Sequence, residues 1–264
     1  MRFPFGQNWH SFLSLLDEDR IEEACRSLRE SLQRETLHGV RMLDIGSGSG
    51  LFSLAAHRMG AEVVAFDYDP DSVACTSELR RRFAPTSERW HVLQGSVLDP
   101  AFMSQLGQFD LVYSWGVLHH TGEMWRAVNL AAERVRPGGT LMIALYNDQG
   151  WRSRLWWRIK RVYCSGAAGR ALVGGALYPI FFLYALSLDV RNLALLGTHI
   201  REYRRQRGMS IFHDWRDWLG GFPFEVASPA TVAGRLGDGF VLQRQTLTRG
   251  WGCNEFVMVR RGAD

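Results

Sequence analysis

The 264-residue chain reads as an α/β protein built on an open, doubly wound, mostly parallel sheet. Three observations predict this. Short, near-continuous apolar strands alternate with stretches long enough for helical crossovers, the pattern of a parallel sheet covered on both faces. The first strand runs straight into a turn carrying Gly46, Gly48 and Gly50 and then into an apolar helical stretch. The second strand ends on an acid, Asp67, about twenty residues beyond those glycines, the spacing at which doubly wound folds place a carboxylate against a ribose.

An amino-terminal arm comes first. Phe5-Gly6-Gln7-Asn8-Trp9 precedes an amphipathic stretch, Phe12 to Leu16, and a charged helix expected from about Asp19 to Glu35. In that helix Ile21, Ala24, Cys25 and Leu28 recur at helical spacing. Either the helix simply packs on the sheet edge, or Asn8 and Trp9 form a lid that excludes water and contacts the substrate.

Residues Val40 to Ser53 read V-R-M-L-D-I-G-S-G-S-G-L-F-S. Glycines at alternate positions let the backbone turn sharply and approach a ligand closely, since without Cβ they accept positive φ. A dinucleotide site would want G-x-G-x-x-G, but here position 51 is Leu. Asp44, two residues before the first glycine, would repel a phosphate and can instead pair with an amino acid's ammonium group. A nucleoside ligand fits this set, although a G-x-G-x-G also occurs in ordinary turns.

The later elements follow in series. Ala61 to Phe66 is the second strand; Asp69 and Pro70 look like the N-cap and first residue of the next helix, which leaves Asp67 for the ligand unless it too merely caps. Trp90 to Gln94 is the third strand, leading to Gly95-Ser96-Val97-Leu98-Asp99. Phe109 to Ser114 is the fourth, running into Trp115-Gly116-Val117-Leu118-His119-His120 and a helix from about Gly122 to Val135. Arg136-Pro137-Gly138-Gly139 then reads as a helix stop and turn before a fifth strand, Thr140 to Tyr146. Phe240 to Leu247 and Cys253 to Arg260 are the last two strands.

This order of motifs resembles the class I S-adenosylmethionine-dependent methyltransferases, over residues 40–146 and the last two strands. The segment 208–229, G-M-S-I-F-H-D-W-R-D-W-L-G-G-F-P-F-E-V-A-S-P, is also similar to one found in a group of bacterial enzymes likened to ubiquinone-biosynthesis O-methyltransferases. The resemblance implies a Rossmann-like sheet of seven strands with S-adenosyl-L-methionine at their carboxyl ends. It implies cofactor contacts from Asp44, Gly46, Ser47, Gly48, Gly50, Asp67, Tyr68, Ser96, Val97 and Ser114. Relatives often carry an acid right after the glycine of the third loop to hold the adenine; Ser96 stands there instead, so backbone groups or Asp99 take that role. His119 or His120 would remove a proton from an acceptor hydroxyl, one of the pair being structural. Trp115 would line the acceptor side.

Absences narrow the class. An Asn or Asp followed by Pro-Pro after the fourth strand would suit amino-nitrogen acceptors, but the chain has Ser114-Trp115-Gly116. No carboxylate stands there to chelate magnesium, so a metal-free mechanism is expected. Cys25, Cys75, Cys164 and Cys253 form no close pair, which suggests neither a zinc knuckle nor a disulfide framework. Net charge is only +4, its positive residues gathering in Arg152 to Arg161 and Arg201 to Arg207, and no nucleic-acid partner is expected. No signal peptide is recognised at the amino terminus, which makes the cytoplasm the expected location.

Residues 147–227 form an insertion far longer than a crossover needs. It opens with W-R-S-R-L-W-W-R-I-K-R-V-Y and continues into Ala167 to Leu188, with Arg170 its only charge. Roughly 20 apolar residues can span a bilayer. Three readings stay open: a buried cap helix or pair over the active site, which is preferred; membrane-surface contact through 151–188; and a true span, which Gly174-Gly175 and Pro179 disfavour. Further on, His213 and Asp217 share a helix face, but Asp214 as N-cap, Asp217 at N3 and Gly220-Gly221 as the stop explain the spacing better than a metal does. His213, Asp217 and Glu225 are instead candidates for acceptor contact.

The expected organisation is an arm or lid over 1–38, a cofactor-binding core over 39–146, an insertion or acceptor cap over 147–227 and completion of the sheet over 228–264. The expected activity is methyl transfer to a small-molecule acceptor, most simply a hydroxyl oxygen. A membrane-associated enzyme acting on a quinone or lipid-like acceptor is one alternative; a regulatory protein that binds the cofactor without turnover is the other. Oligomeric state stays open.

Overall fold

The computed structural model describes residues 13, 16–192, 194, 195, 197, 198, 200, 211–250 and 252–262, without the side chains of residues 213, 214 and 217. Its centre is a seven-stranded sheet of β1 (Arg41–Ile45), β2 (Glu62–Asp67), β3 (Trp90–Gln94), β4 (Phe109–Trp115), β5 (Val135–Tyr146), β6 (Phe240–Thr246) and β7 (Cys253–Arg260). The spatial order is β3-β2-β1-β4-β5-β7-β6. The pairs β2–β3, β1–β2, β1–β4 and β4–β5 are parallel, and β7 runs antiparallel to both its neighbours. Strand order reverses between β1 and β4, which opens a crevice at their carboxyl ends.

Alternation along each strand allots the side chains to two cores. Met42 of β1 joins Val63, Ala65, Leu111 and Tyr113 on one face, under α1 (Glu18–Leu32), α2 (Leu51–Arg58) and α3 (Pro70–Phe83). Leu43 and Ile45 join Phe66, Val112, Leu141 and Ile143 on the other, under α4 (Pro100–Gln105), α5 (Met124–Glu133) and a later helix, α9 (Pro229–Leu236).

The arm helix α1 buries Ile21, Ala24, Cys25 and Leu28, as its spacing predicts. Asp17 caps it by accepting from the Arg20 N–H at 3.0 Å, and Glu18 pairs with Arg58 of α2. The helix therefore packs on the core. Asn8 and Trp9 lie outside the described residues. Asp69 does cap α3, accepting from the Asp71 N–H at 3.0 Å, with Pro70 behind it.

Two local readings change. Arg136 to Gly139 does not separate helix from strand; it is looped out within β5, because Phe109 pairs with Val135 while Leu111 already pairs with Thr140. Arg136 reaches Asp110 across this bulge at 2.5 Å. In the insertion, the helix α8 (Ile211–Gly220) begins three residues before Asp214, so Asp214 is inside the helix and not its N-cap.

The insertion leaves and rejoins the sheet at one place. Asn147 and Ala227 form a parallel bridge, and the Ala227 N–H donates to the Tyr146 carbonyl at 2.9 Å. Between these points α6 (Trp151–Tyr163) and α7 (Ala167–Arg191) make a hairpin, pinned by the Tyr163 and Tyr178 hydroxyls 2.8 Å apart. Phe181 of α7 meets Trp215 and Trp218 of α8 edge to face, with ring centroids 5.6 and 6.0 Å apart. Gly174, Gly175 and Pro179 all lie within the single helix α7. It is not a buried cap: only 17% of its most apolar stretch is covered by protein.

Candidate active site

A cleft opens at the carboxyl ends of β1 to β4. Ile45, Phe66, Val97, Leu98 and Val117 wall it, and Asp67, Tyr68 and Ser96 stand at its polar side. A shallower recess bounded by Pro70 and Gln94 adjoins it. Flat apolar walls with a carboxylate at the rim suit an adenosine.

The glycine loop builds the floor. Gly46 has φ +76°, and a Cβ there would meet the Val117 methyls at 2.5 Å, so only glycine keeps the loop this close to the cleft wall. The Gly48 N–H donates to Asp67 Oδ2 at 3.0 Å and the Asp69 N–H to Oδ1 at 2.9 Å. Backbone amides thus fix the carboxylate before any ligand arrives. Gly50, with φ +81°, packs its Cα against Thr76. The Ser47 and Thr76 hydroxyls are 3.0 Å apart. Ser47, Gly48 and Gly50 thus shape the loop beside the cleft.

Asp44 is buried, and Ser53 Oγ donates to its Oδ2 at 2.5 Å. Burial, aided by the nearby Asp67 charge, pushes its carboxyl up to about 7. A buried acid whose proton burial retains fits the ammonium of an amino-acid tail, which would stabilise the ionised form and release that proton. Together with the apolar cleft and the fixed Asp67, this is the donor and acceptor set that an S-adenosylmethionine requires.

The short turn Leu118–His120 after β4 brings two histidines to opposite tasks. His120 Nδ1 is 2.7 Å from the Pro223 carbonyl, which can only accept, so Nδ1 carries the proton and Nε2 the lone pair. His119 is fully buried, its ring 4.0 Å from that of Tyr146. Its Nδ1 accepts the Tyr146 N–H at 3.4 Å, and its Nε2 has no hydrogen-bond partner among the described residues. Burial, with His120 and Lys160 nearby, holds its pKa well below the usual histidine value. His119 is a neutral packing group; His120 has the orientation of a base.

Other expected contacts are used differently. Ser114 Oγ donates to the Ile45 carbonyl at 3.0 Å and is wholly buried, so it ties β4 to β1. Glu225 accepts the Met124 N–H at 3.0 Å, capping α5 from a distance in sequence, while its own N–H donates to the His119 carbonyl. Burial raises its carboxyl. Trp115 is half exposed and donates from Nε1 to Glu255 at 3.0 Å. The side chains of His213 and Asp217 lie outside the described set.

Lys160 was not foreseen. It is buried, donates to the Trp218 carbonyl in the last turn of α8, and lies 4.9 and 5.1 Å over the rings of Trp218 and Phe224. Desolvation brings it down to about 7. Phe224 in turn stacks on Tyr146 at 5.2 Å, so one aromatic column links α8 to the histidine turn. The signal in the sequence was the spacing Ser153, Lys160 and Tyr163, the buried face of α6, hidden among exposed arginines.

Residues 43–143 match the family model described as a methyltransferase domain. Over that stretch the sequence match, the sheet order and the cleft make the chain similar to the class I S-adenosylmethionine-dependent methyltransferases. Among its relatives, a ubiquinone biosynthesis O-methyltransferase of Xanthomonas campestris pv. campestris is 32% identical over 122 residues, 43% of this chain and 46% of the relative. One from Rhizobium rhizogenes is 30% identical over 129 residues, 48% of this chain and 49% of the relative. The chain thus spans about half the length of the curated relatives it matches. Two solved structures share the fold: magnesium protoporphyrin IX methyltransferase from Synechocystis PCC 6803 with bound SAH, with TM-score 0.53 and 17% identity over 91% of this chain and 81% of that one, and an N-methyltransferase from Bradyrhizobium japonicum WM9 with SAH, with TM-score 0.51 and 15% identity over 90% and 86%.

Proposed function

We propose that this protein transfers a methyl group from S-adenosylmethionine to a hydroxyl oxygen of a small, largely apolar acceptor, with His120 as the general base. When bound, the cofactor supplies an electrophilic sulfonium methyl. The chain's own work is to bind, orient and deprotonate. Asp67 accepts from the ribose hydroxyls, the apolar walls at Phe66, Val97 and Leu98 hold the adenine, and Asp44 receives the ammonium.

The observation that carries the reading is the His120 hydrogen bond to the Pro223 carbonyl. It sets the lone pair on Nε2, one residue from Thr121 and three from Val117, both of which line the cofactor cleft. A base so placed can take the acceptor proton as the oxygen attacks, an effect that typically adds about 10²- to 10⁴-fold. Alignment of acceptor and methyl supplies more, roughly 7 to 11 kcal/mol in favourable cases. The O-methyltransferase names of the curated relatives support oxygen as the target. The aromatic residues Tyr146 and Phe224 beside the histidines favour an apolar acceptor.

The test pairs calorimetric titration with S-adenosylmethionine, NAD⁺ as control, with a screen of phenolic and other hydroxylated acceptors for methyl transfer. Binding of the first alone with turnover of hydroxylated acceptors supports the proposal. Turnover only of amines would reject oxygen as the target, and activity lost on chelation would reject the metal-free route. Tight cofactor binding without transfer to any acceptor would favour a regulatory role.

A further inference from the structure

The hairpin of α6 and α7 presents an apolar face that, among the described residues, is left uncovered. From Ala171 to Leu188 no residue is charged, yet Leu172, Leu183 and Val190 are 71%, 65% and 62% exposed, and Ile180, Phe182 and Tyr184 are exposed beside them. The opposite face of α7 is tied down by Tyr178, by Phe181 against the α8 tryptophans and by buried Ala185. The helix is thus fastened along one side and bare along the other. A row of exposed large apolar side chains along one helix marks an interaction site.

The neighbouring helix says what covers it. α6 contains no acidic residue and exposes Arg152, Arg154, Arg158 and Arg161. Trp151 and Trp157 lie exposed among them, with the Arg152 and Arg161 guanidiniums 5.7 and 5.1 Å from those rings. Aromatic side chains next to a basic row, beside a charge-free apolar helix, match the boundary between acyl chains and anionic headgroups. A second copy of the chain would bring arginines against arginines at this edge.

We infer that the α6–α7 hairpin docks the protein on an anionic lipid bilayer, with the exposed side of α7 lying in the interface and the α6 arginines on the headgroups. The helix is 25 residues long, enough to span, but its fastened side holds Tyr178, Phe181 and Ala185 against protein, and so it lies along the surface. The docking does not depend on which acceptor is methylated.

The test is co-sedimentation of the full chain with vesicles of phosphatidylcholine alone and of equal parts phosphatidylcholine and phosphatidylglycerol, with light scattering of the free protein for its mass. The wild type should pellet with the mixed vesicles, less at high salt, and leave them on alkaline carbonate washing. Leu172→Glu/Leu183→Glu should weaken this about tenfold or more while S-adenosylmethionine binding and the melting temperature hold. Should that pair fail to fold, Arg154→Glu/Arg158→Glu provides the second variant and should lose the preference for phosphatidylglycerol. The inference is overturned by a wild type that stays in solution, by pelleting that neither pair alters, or by protein that resists carbonate as a span would. A dimer dissolved by the leucine pair would assign the face to a second copy instead.

Discussion

The proposed chemistry turns on Asp44 and His120, and their environments make separate predictions. The Asp44 carboxyl, raised to about 7 by burial, holds its proton more tightly than in the unfolded chain. Its contribution to stability is therefore present at low pH and lost as pH rises toward 7. Binding an ammonium needs the ionised form, so below pH 7 cofactor binding must release a proton, and affinity should fall by up to about tenfold per pH unit. Calorimetry in buffers of different ionisation enthalpy reads that proton directly; Asp44→Asn should abolish the release and weaken binding. His120→Ala should slow transfer by about 10²- to 10⁴-fold with the cofactor affinity unchanged. His119→Ala removes a wholly buried ring and should instead lower the melting temperature. Adjacent histidines look identical in a sequence; the Pro223 carbonyl, about a hundred residues away, separates them. For the same reason the hydrogen bonds of Ser114 and Glu225 were not legible, since their partners Ile45 and Met124 are brought to them only by the fold.

Among elements, the strands other than β5 were legible to within a residue or two because they are short apolar runs bounded by turn signals. Trp90 to Gln94 and Cys253 to Arg260 appear with the expected ends. The Arg136 to Gly139 bulge was not legible, because Pro-Gly-Gly reads as a turn whether or not a neighbouring strand continues past it. In the insertion, Lys160 joins α6 to the carboxyl end of α8. Its pKa of about 7 lies below that of an unfolded lysine, so the unfolded chain binds the extra proton and stability rises as pH increases above 7. Between pH 7 and 8.5, denaturant midpoints of the wild type should climb relative to those of Lys160→Met, which lacks this group. Identical trends in the two proteins would mean the lysine is solvated in solution.

At the scale of the whole molecule, a cleft whose carboxylate is fixed by backbone amides needs little rearrangement to take its ligand. Saturation at a hundred times Kd should therefore appear as about 2.7 kcal/mol of added stability. For a domain of this size that is a rise in melting temperature of roughly 5 to 10 °C, readable by scanning calorimetry. The sheet and cofactor side of the molecule were readable in advance from Gly46 to Asp67. The fate of Ala167 to Leu188 was not: an apolar run has the same sequence pattern whether protein or lipid covers it, and only the exposed flank of α7 tells them apart.

The Asn147 to Ala227 bridge has a consequence for how such a protein can change. An insertion whose ends meet at one point can be lengthened, shortened or exchanged without moving a strand. Yet its returning leg carries the Pro223 carbonyl that orients His120 and the Glu225 carboxylate that caps α5. The seam between the site and the rest of the insertion thus falls before residue 223, not at the sheet. A graft that cuts at 227 would take the Pro223 carbonyl away from His120, whereas one that keeps the last few residues would exchange the helices and leave that hydrogen bond in place.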